Sequence, residues 1–198
     1  MNEVRVNRKA VARVESGHPW IFSSDIVEKD GAQAGSAVKV TDPRGRPLGT
    51  AHYSDSSQIS LRMLSRQVED TGRDFFLRRL QAAEQHRRRV VRDSDAYRVV
   101  YAEADLLPGL IVDRYGDYLV VQTLDQGMDA AKAEIVSCLE EIYHPAGIVA
   151  RRIEPRRTLG FELVWRREAS SPALTAFVDA AAARADRRPP VRRLEAVA

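Results

Sequence analysis

The chain has 198 residues, of which 44% are hydrophobic and 30% charged, and its net charge is +3. This composition is typical of a soluble globular protein with one or two small domains, and it excludes a largely disordered chain. No apolar run approaches the roughly 18 residues of a membrane span, and the N-terminus lacks the apolar segment of a secretory signal, so we expect a cytoplasmic protein without a membrane partner.

Residues 1–70 have the pattern of a small β-barrel-like domain. A short helix is predicted over residues 8–15, and Gly17 would end it. Three runs of strand character follow at residues 37–40, 48–53 and 59–64, and the sequence DPRG at residues 42–45 is a tight-turn signal between the first two. Many short strands separated by turns are typical of a small barrel.

Residues 73–153 predict an α/β module, so the fold class of the whole chain is α+β. An arginine-rich amphipathic helix opens the module, and a β-hairpin lies before a second amphipathic helix. The predicted elements are a helix over 74–92, a strand over 97–101, a hairpin of 110–113 with 118–122, a helix over 129–143 and a strand over 148–153.

Charge is unevenly distributed in this module. Residues 72–99 carry eight basic and four acidic side chains, whereas residues 100–150 carry two basic and nine acidic ones. Segregated charge indicates surfaces with different partners. All but four of the basic residues in the chain are arginines, whose planar guanidinium suits phosphate groups and stacks on bases; a GC-rich genome is the alternative explanation for the arginine excess.

Two groups of side chains in the module could take part in catalysis, but a structural role is favoured for each. Cys138, the single cysteine, lies within an apolar helical pattern, so we expect a buried structural thiol rather than a nucleophile. Carboxylates around the hairpin could act as an acid–base pair, but we favour an acidic rim or contacts with the arginine-rich helix, because no nucleophile or metal ligand lies nearby. These carboxylates are Glu103, Asp105, Asp113 and Asp117.

Residues 154–198 read as a divergent, partly helical tail. Residues 161–165 form a short apolar run, and Ser171 can cap a helix that starts at Pro172. Arginine and proline then dominate residues 187–193, which is the composition of a solvated segment.

A nucleotide-type cofactor usually requires a glycine-rich loop between a strand and a helix. The closest glycine pairs are Gly31 with Gly35 and Gly45 with Gly49, and both fall in the β-rich first segment. We therefore expect no cofactor site, no metal site and no catalytic residue in this chain.

Three separated motifs carry a specific resemblance. They are GHPWIFS at residues 17–23, AHYS at 51–54 followed by SQISLR at 57–62, and EADLLPGLIVDRYG at 103–116. In this order and spacing they resemble the N-terminal half of the bacterial S-adenosylmethionine-dependent large-subunit rRNA 5-methylcytosine methyltransferases, over about residues 1–153. The resemblance implies a PUA domain that binds structured RNA, followed by the central α/β domain of that family, with rRNA as the partner.

The chain departs from that family after about residue 154. In the family a Rossmann-like domain then supplies the S-adenosylmethionine loop and the cysteine that attacks the pyrimidine, whereas the stretch 161–177 resembles the C-terminal end of a LysR-type regulator. The expected function is therefore RNA binding by the recognition half, with no methyl transfer by this chain alone. Two alternatives stay open: a subunit of a split, active methyltransferase, and a degenerate or protein-interaction module. A homodimer or a separate catalytic domain would then be the partner.

Charge and family position together predict the residues that face RNA. Cations close to aromatic side chains are suited to gripping phosphates while stacking on unpaired bases. The predicted RNA-binding residues are Arg8, Lys9, His18, Trp20 and Arg62 in the first segment, with Arg87 and Arg88 on the arginine-rich helix.

Overall fold

The computed structural model describes residues 1–153 and 159–165 and has a mixed α/β architecture with two sheets. The four α-helices of the described residues are α1 (Arg8–Glu15), α2 (Arg73–Val90), α3 (Gln126–Ala130) and α4 (Lys132–Tyr143). The strands are β1 (Glu3–Val6), β2 (Trp20–Phe22), β3 (Ile26–Lys29), β4 (Ala37–Thr41), β5 (Pro47–Tyr53), β6 (Ile59–Ser65), β7 (Ala96–Tyr101), β8 (Leu110–Tyr115), β9 (Tyr118–Thr123), β10 (Gly147–Ile153) and β11 (Leu159–Trp165).

The first sheet is curled into a half-barrel with the strand order β2-β6-β5-β4-β1-β3. Its pairs are antiparallel except for β1 with β4, which run parallel. Alternation of valines with polar residues buries one face of each strand, as at Val4 and Val6 or Val38 and Val40, and α1 closes the same core with Ala10 and Val14. This half-barrel confirms the predicted β-rich first segment.

The second sheet has the order β11-β10-β9-β8-β7. Strands β7, β8 and β9 form an antiparallel meander, and α3 and α4 then cross over to place β10 parallel to β9. Phe76, Leu80 and Ala83 of α2 pack into the core of this sheet, as expected of an amphipathic helix. Val90 lies at the same helical spacing but is 56% exposed, because the last turn of α2 has passed the end of the core.

Cys138 is fully buried in this second core, which confirms the expected structural thiol. Burial disfavours the thiolate and raises the pKa of Cys138. The thiol sulfur lies 3.7 Å from the backbone carbonyl oxygen of Arg73, so it packs α4 against the start of α2.

Some elements differ from the sequence predictions. The predicted helix over 129–143 falls on two helices. Asp125 caps the N-terminus of α3, and the helix is interrupted at Ala131 before α4 begins. Strands β2 and β3 lie outside the three runs of strand character predicted for the first segment. The predicted helix from Pro172 lies outside the described residues. None of the helices within residues 1–153 is long and apolar enough to cross a membrane.

Candidate nucleic-acid interface

The N-terminus of α1 presents two exposed cations. Asn7 caps the helix by accepting a hydrogen bond from the Ala10 amide at 2.9 Å. Arg8 and Lys9 follow in the first turn, which contains no acidic residue. Cations are disfavoured there because the helix dipole places partial positive charge at this end. The Lys9 charge also favours the charged form of the buried Asp25 carboxylate, whereas Arg8 has no acidic partner within the described residues.

A groove of about 450 Å³ separates α1 from the turn between β4 and β5. The turn is fixed by the Asp42 carboxylate, which accepts hydrogen bonds from the backbone amides of Arg44 and Arg46 at 2.8 and 2.9 Å. These bonds outweigh the effect of partial burial and lower the pKa of Asp42. The groove is lined by Arg8, Val11, Ala12, Glu15, Asp42, Pro43, Arg44 and Arg46.

Some of the arginines in this groove form ion pairs and others do not. Arg46 forms ion pairs with Glu15 at 2.6 Å and with Asp42 at 3.1 Å. Arg8 and Arg44 are exposed, and neither side chain has an acidic partner within the described residues. Two cations from separate elements are therefore free to meet a phosphate. Sequence reasoning missed Arg44, although the turn signal at residues 42–45 contained it.

His18 and Trp20 lie beyond the C-terminus of α1. Their rings meet edge to face with centroids 5.5 Å apart, and the His18 ring nitrogen Nδ1 accepts a hydrogen bond from the Trp20 backbone amide. The Trp20 indole N–H donates to the Glu103 carboxylate at 2.8 Å. Because Glu103 precedes the second sheet's strand β8, Trp20 connects the two halves of the molecule.

Arg62 lies at the same seam between the two sheets. It is paired across the strands with Trp20 on one side and His52 on the other, so the three side chains share one face of the first sheet. Its side chain is 11% exposed. One guanidinium nitrogen, Nε, lies 3.8 Å from the Asp125 carboxylate, and another donates to the Ile59 carbonyl.

The seam is closely packed around His52. Its ring is nearly fully buried, and burial lowers the pKa of His52 despite the Asp125 carboxylate 3.9 Å away. A Cβ atom at Gly127 would lie 2.1 Å from the His52 ring, so only glycine allows α3 to approach β5 this closely.

Arg87 has an internal partner. Its side chain is 13% exposed and forms an ion pair at 2.5 Å with Asp105, which is 8% exposed. Arg87 also donates to the Arg98 carbonyl at 2.8 Å, while Asp105 accepts from the Tyr101 amide. The pair fixes the 3₁₀ turn at Ala102–Asp105 against α2. The expected contact with the arginine-rich helix is therefore found for Asp105, whereas Glu103 bonds Trp20 and Asp113 pairs with Arg98.

Arg88 faces another direction. Its side chain is 73% exposed, and its Nε donates to Glu84 one turn earlier on α2. Glu84 is buried and also accepts a hydrogen bond from the Tyr143 hydroxyl. The seven predicted RNA-binding residues thus fall in three places: Arg8 and Lys9 on the open face of α1, His18, Trp20 and Arg62 at or near the seam, and Arg87 and Arg88 on α2.

The glycine pairs considered for a cofactor belong to β-structure. Gly45 lies in the β4–β5 turn, and Gly49 lies within β5. Residues 1–153 do not form the strand–glycine-loop–helix arrangement that an S-adenosylmethionine site of the expected type needs. Within the same residues no three His, Cys, Asp or Glu side chains are grouped to hold a metal ion.

Comparison with known proteins agrees with this architecture. A family model described as a PUA-like domain matches residues 4–66. A candidate SAM-dependent methyltransferase from Streptococcus mutans has a TM-score of 0.73 at 19% identity, and the match covers 86% of this chain and 44% of that one. A second candidate methyltransferase, solved with SAH, has a TM-score of 0.69 at 16% identity over 84% of this chain and 49% of its own. At these identities the likeness concerns the fold alone.

Curated relatives are closer in sequence. A ribosomal RNA large subunit methyltransferase I from Erwinia tasmaniensis is 40% identical over 151 residues, which are 74% of this chain and 38% of that protein. The protein of the same description from Tolumonas auensis is 41% identical over 138 residues, 68% of this chain and 35% of its own length. The chain thus spans little more than a third of these relatives. It has a PUA-like domain, and over about three quarters of its length it is homologous to the ribosomal RNA large subunit methyltransferase I proteins.

Proposed function

We propose that this chain binds structured RNA, with large-subunit ribosomal RNA as the target class. The supporting observation is the groove between α1 and the β4–β5 turn, where Arg8 and Arg44 are exposed and have no acidic partner within the described residues. The groove lies in the PUA-like domain. Lys9 adds a third exposed cation beside it on α1. Cations held on rigid elements are the means by which proteins grip a phosphate backbone.

We further propose that residues 1–70 form the RNA-binding domain and residues 73–153 a supporting α/β domain. Trp20 and Arg62, placed at the seam, position the two domains relative to each other through Glu103 and Asp125. In this proposal the chain supplies the recognition part of an rRNA methyltransferase. Methyl transfer itself is not assigned to these residues, because residues 1–153 lack the strand–glycine-loop–helix arrangement that binds S-adenosylmethionine.

The experiment that tests the proposal compares charge reversals in two places. We expect Arg8→Glu combined with Arg44→Glu to weaken binding of a labelled hairpin from large-subunit rRNA by about tenfold or more, measured by fluorescence anisotropy, because two phosphate contacts are lost and replaced by repulsion. Arg8→Glu places a carboxylate in the first turn of α1, which favours the helix, and urea unfolding checks that the double variant keeps its stability.

The matched control is Arg89→Glu with Arg92→Glu, which changes the net charge by the same amount at the end of α2. Both control residues are exposed and without an acidic partner among the described residues. The change in overall charge is the same in the two variants and by itself should weaken binding equally. We therefore expect the fold loss of affinity in the control to be at least about threefold smaller than in the Arg8→Glu, Arg44→Glu variant. A larger loss in the control would assign RNA binding to the arginine-rich helix, and equal losses would show an effect of overall charge alone; either result would contradict the proposal.

A further inference from the structure

A second groove, of about 520 Å³, lies between α2 and the 3₁₀ turn that follows β7. This volume is within the roughly 300–1,000 Å³ typical of sites for small ligands. The groove lies outside the PUA-like match, which ends at residue 66. Its lining is Arg79, Ala82, Ala83, His86, Arg87, Val90, Tyr101, Ala104, Asp105 and Leu106.

Three large apolar side chains stand open to solvent in this groove. Val90 and Tyr101 are each 56% exposed, and Leu106 is 59% exposed. Leu106 has a left-handed backbone conformation with φ of 59°, which is unfavourable for a residue with a branched side chain. This conformation ends the 3₁₀ turn, where the Leu106 amide donates a hydrogen bond to the Glu103 carbonyl. The exposed leucine side chain itself adds little to the core, and large apolar side chains exposed together are typical of a binding surface.

One cation of the lining has no carboxylate partner among the described residues. This is Arg79, which lies with His86 on the α2 side of the groove. The Arg98 guanidinium lies over the Tyr101 ring, 5.1 Å from its centroid, and is itself paired with Asp113. The one carboxylate of the lining, Asp105, is neutralised by Arg87. The groove therefore suits a ligand that combines a flat apolar part with a negative charge.

We propose that this groove binds an unpaired nucleotide of single-stranded RNA. The base lies against Tyr101 and Leu106, and the phosphate lies toward His86 and Arg79. Stacking on an aromatic ring beside a cation is the chemistry that recognises unpaired bases without reading a sequence. This inference rests on the proposed function, and it adds a second contact to it: paired RNA on the first domain, and an adjacent unpaired nucleotide on the second.

The test measures the full chain against a labelled single-stranded oligouridine of about eight nucleotides and against the paired hairpin. We expect Tyr101→Ala to weaken oligouridine binding by about fivefold or more, since stacking on an aromatic ring contributes at least that much per base. Leu106→Gly should weaken it by about threefold or more, since the apolar contact with the base is lost. Hairpin binding should change by less than about twofold. Leu106→Gly is informative because glycine relieves the left-handed backbone, so a loss of binding cannot be attributed to a destabilised fold. Tyr101→Phe, which keeps the aromatic face, is the matched control and should bind oligouridine normally.

Several results would overturn the inference and leave the proposed function intact. The first is that the wild-type chain binds the hairpin but not oligouridine. The second is that it binds oligouridine and that neither Tyr101→Ala nor Leu106→Gly changes this binding. Sedimentation adds a third: a wild-type dimer that both variants convert to monomers, with oligouridine binding unchanged, would identify the groove as a self-association surface. Failure of the hairpin and the oligouridine together would instead contradict the proposed function itself.

Discussion

Gly49→Ala is expected to destabilise the first domain by about 3 kcal/mol or more, a large part of the stability of a small domain. Gly49 lies within β5 with φ of 141°, and an added Cβ atom would lie 2.0 Å from the Ser65 carbonyl oxygen and 2.9 Å from the Arg66 Cα atom. These are backbone atoms at the end of β6, so relief of the clash requires β5 and β6 to separate. Equilibrium unfolding in urea measures the change in the free energy of unfolding.

The control for this prediction is Gly45→Ala in the β4–β5 turn. Gly45 also has a positive φ, 83°, but an added Cβ atom there meets nothing within 4 Å. The control therefore carries only the conformational cost of a left-handed alanine, about 1 kcal/mol. Equal losses of stability in the two variants would show that the close approach of β5 to the end of β6 is not as described.

Arg87→Gln is expected to destabilise the protein by about 3 kcal/mol. The substitution leaves the Asp105 carboxylate buried, with its charge uncompensated, and breaking one side of a buried ion pair typically costs about 3–5 kcal/mol. The Arg98 carbonyl also loses its donor. Urea unfolding again provides the measurement.

The matched control is Arg89→Gln, two positions along α2. Arg89 is exposed and has no acidic partner within the described residues, so its replacement should change the free energy of unfolding by less than about 0.5 kcal/mol. Adding Asp105→Asn to Arg87→Gln should recover part of the loss, because the uncompensated charge is then removed. A small and equal effect of Arg87→Gln and Arg89→Gln would contradict an internal role for Arg87.

Local patterns in the sequence predicted most of the fold. The helix over residues 8–15 matches α1 at both ends, because Ala10 and Val14 repeat at helical spacing and a glycine follows closely. The strand runs of the first segment were found because buried and polar residues alternate in them. Strand β2 was not predicted, since three consecutive bulky residues carry no alternation.

The candidate site was predicted less completely, and long-range pairing is the reason. The arginines of α2 look alike in the sequence, but Arg87 alone reaches Asp105, eighteen positions away along the chain. Trp20 was predicted to stack on bases, whereas its indole N–H finds Glu103 across 83 positions. Arg44 was not predicted to face RNA, although it lies in the turn sequence at residues 42–45. The composition of a turn predicts the backbone conformation and not where the arginine side chain lies. Contacts of this kind follow from the tertiary fold and not from local composition.

The most direct test of the central claim, that the first domain grips RNA phosphates through Arg8 and Arg44, is the salt dependence of hairpin binding by the wild-type chain. We expect the logarithm of the association constant to fall linearly with the logarithm of the salt concentration, and the slope to be shallower by about 1.5 in the Arg8→Glu, Arg44→Glu variant, since each phosphate contact contributes about 0.7–0.9 to it. Binding that does not depend on salt, or an identical slope in the two proteins, would contradict the claim.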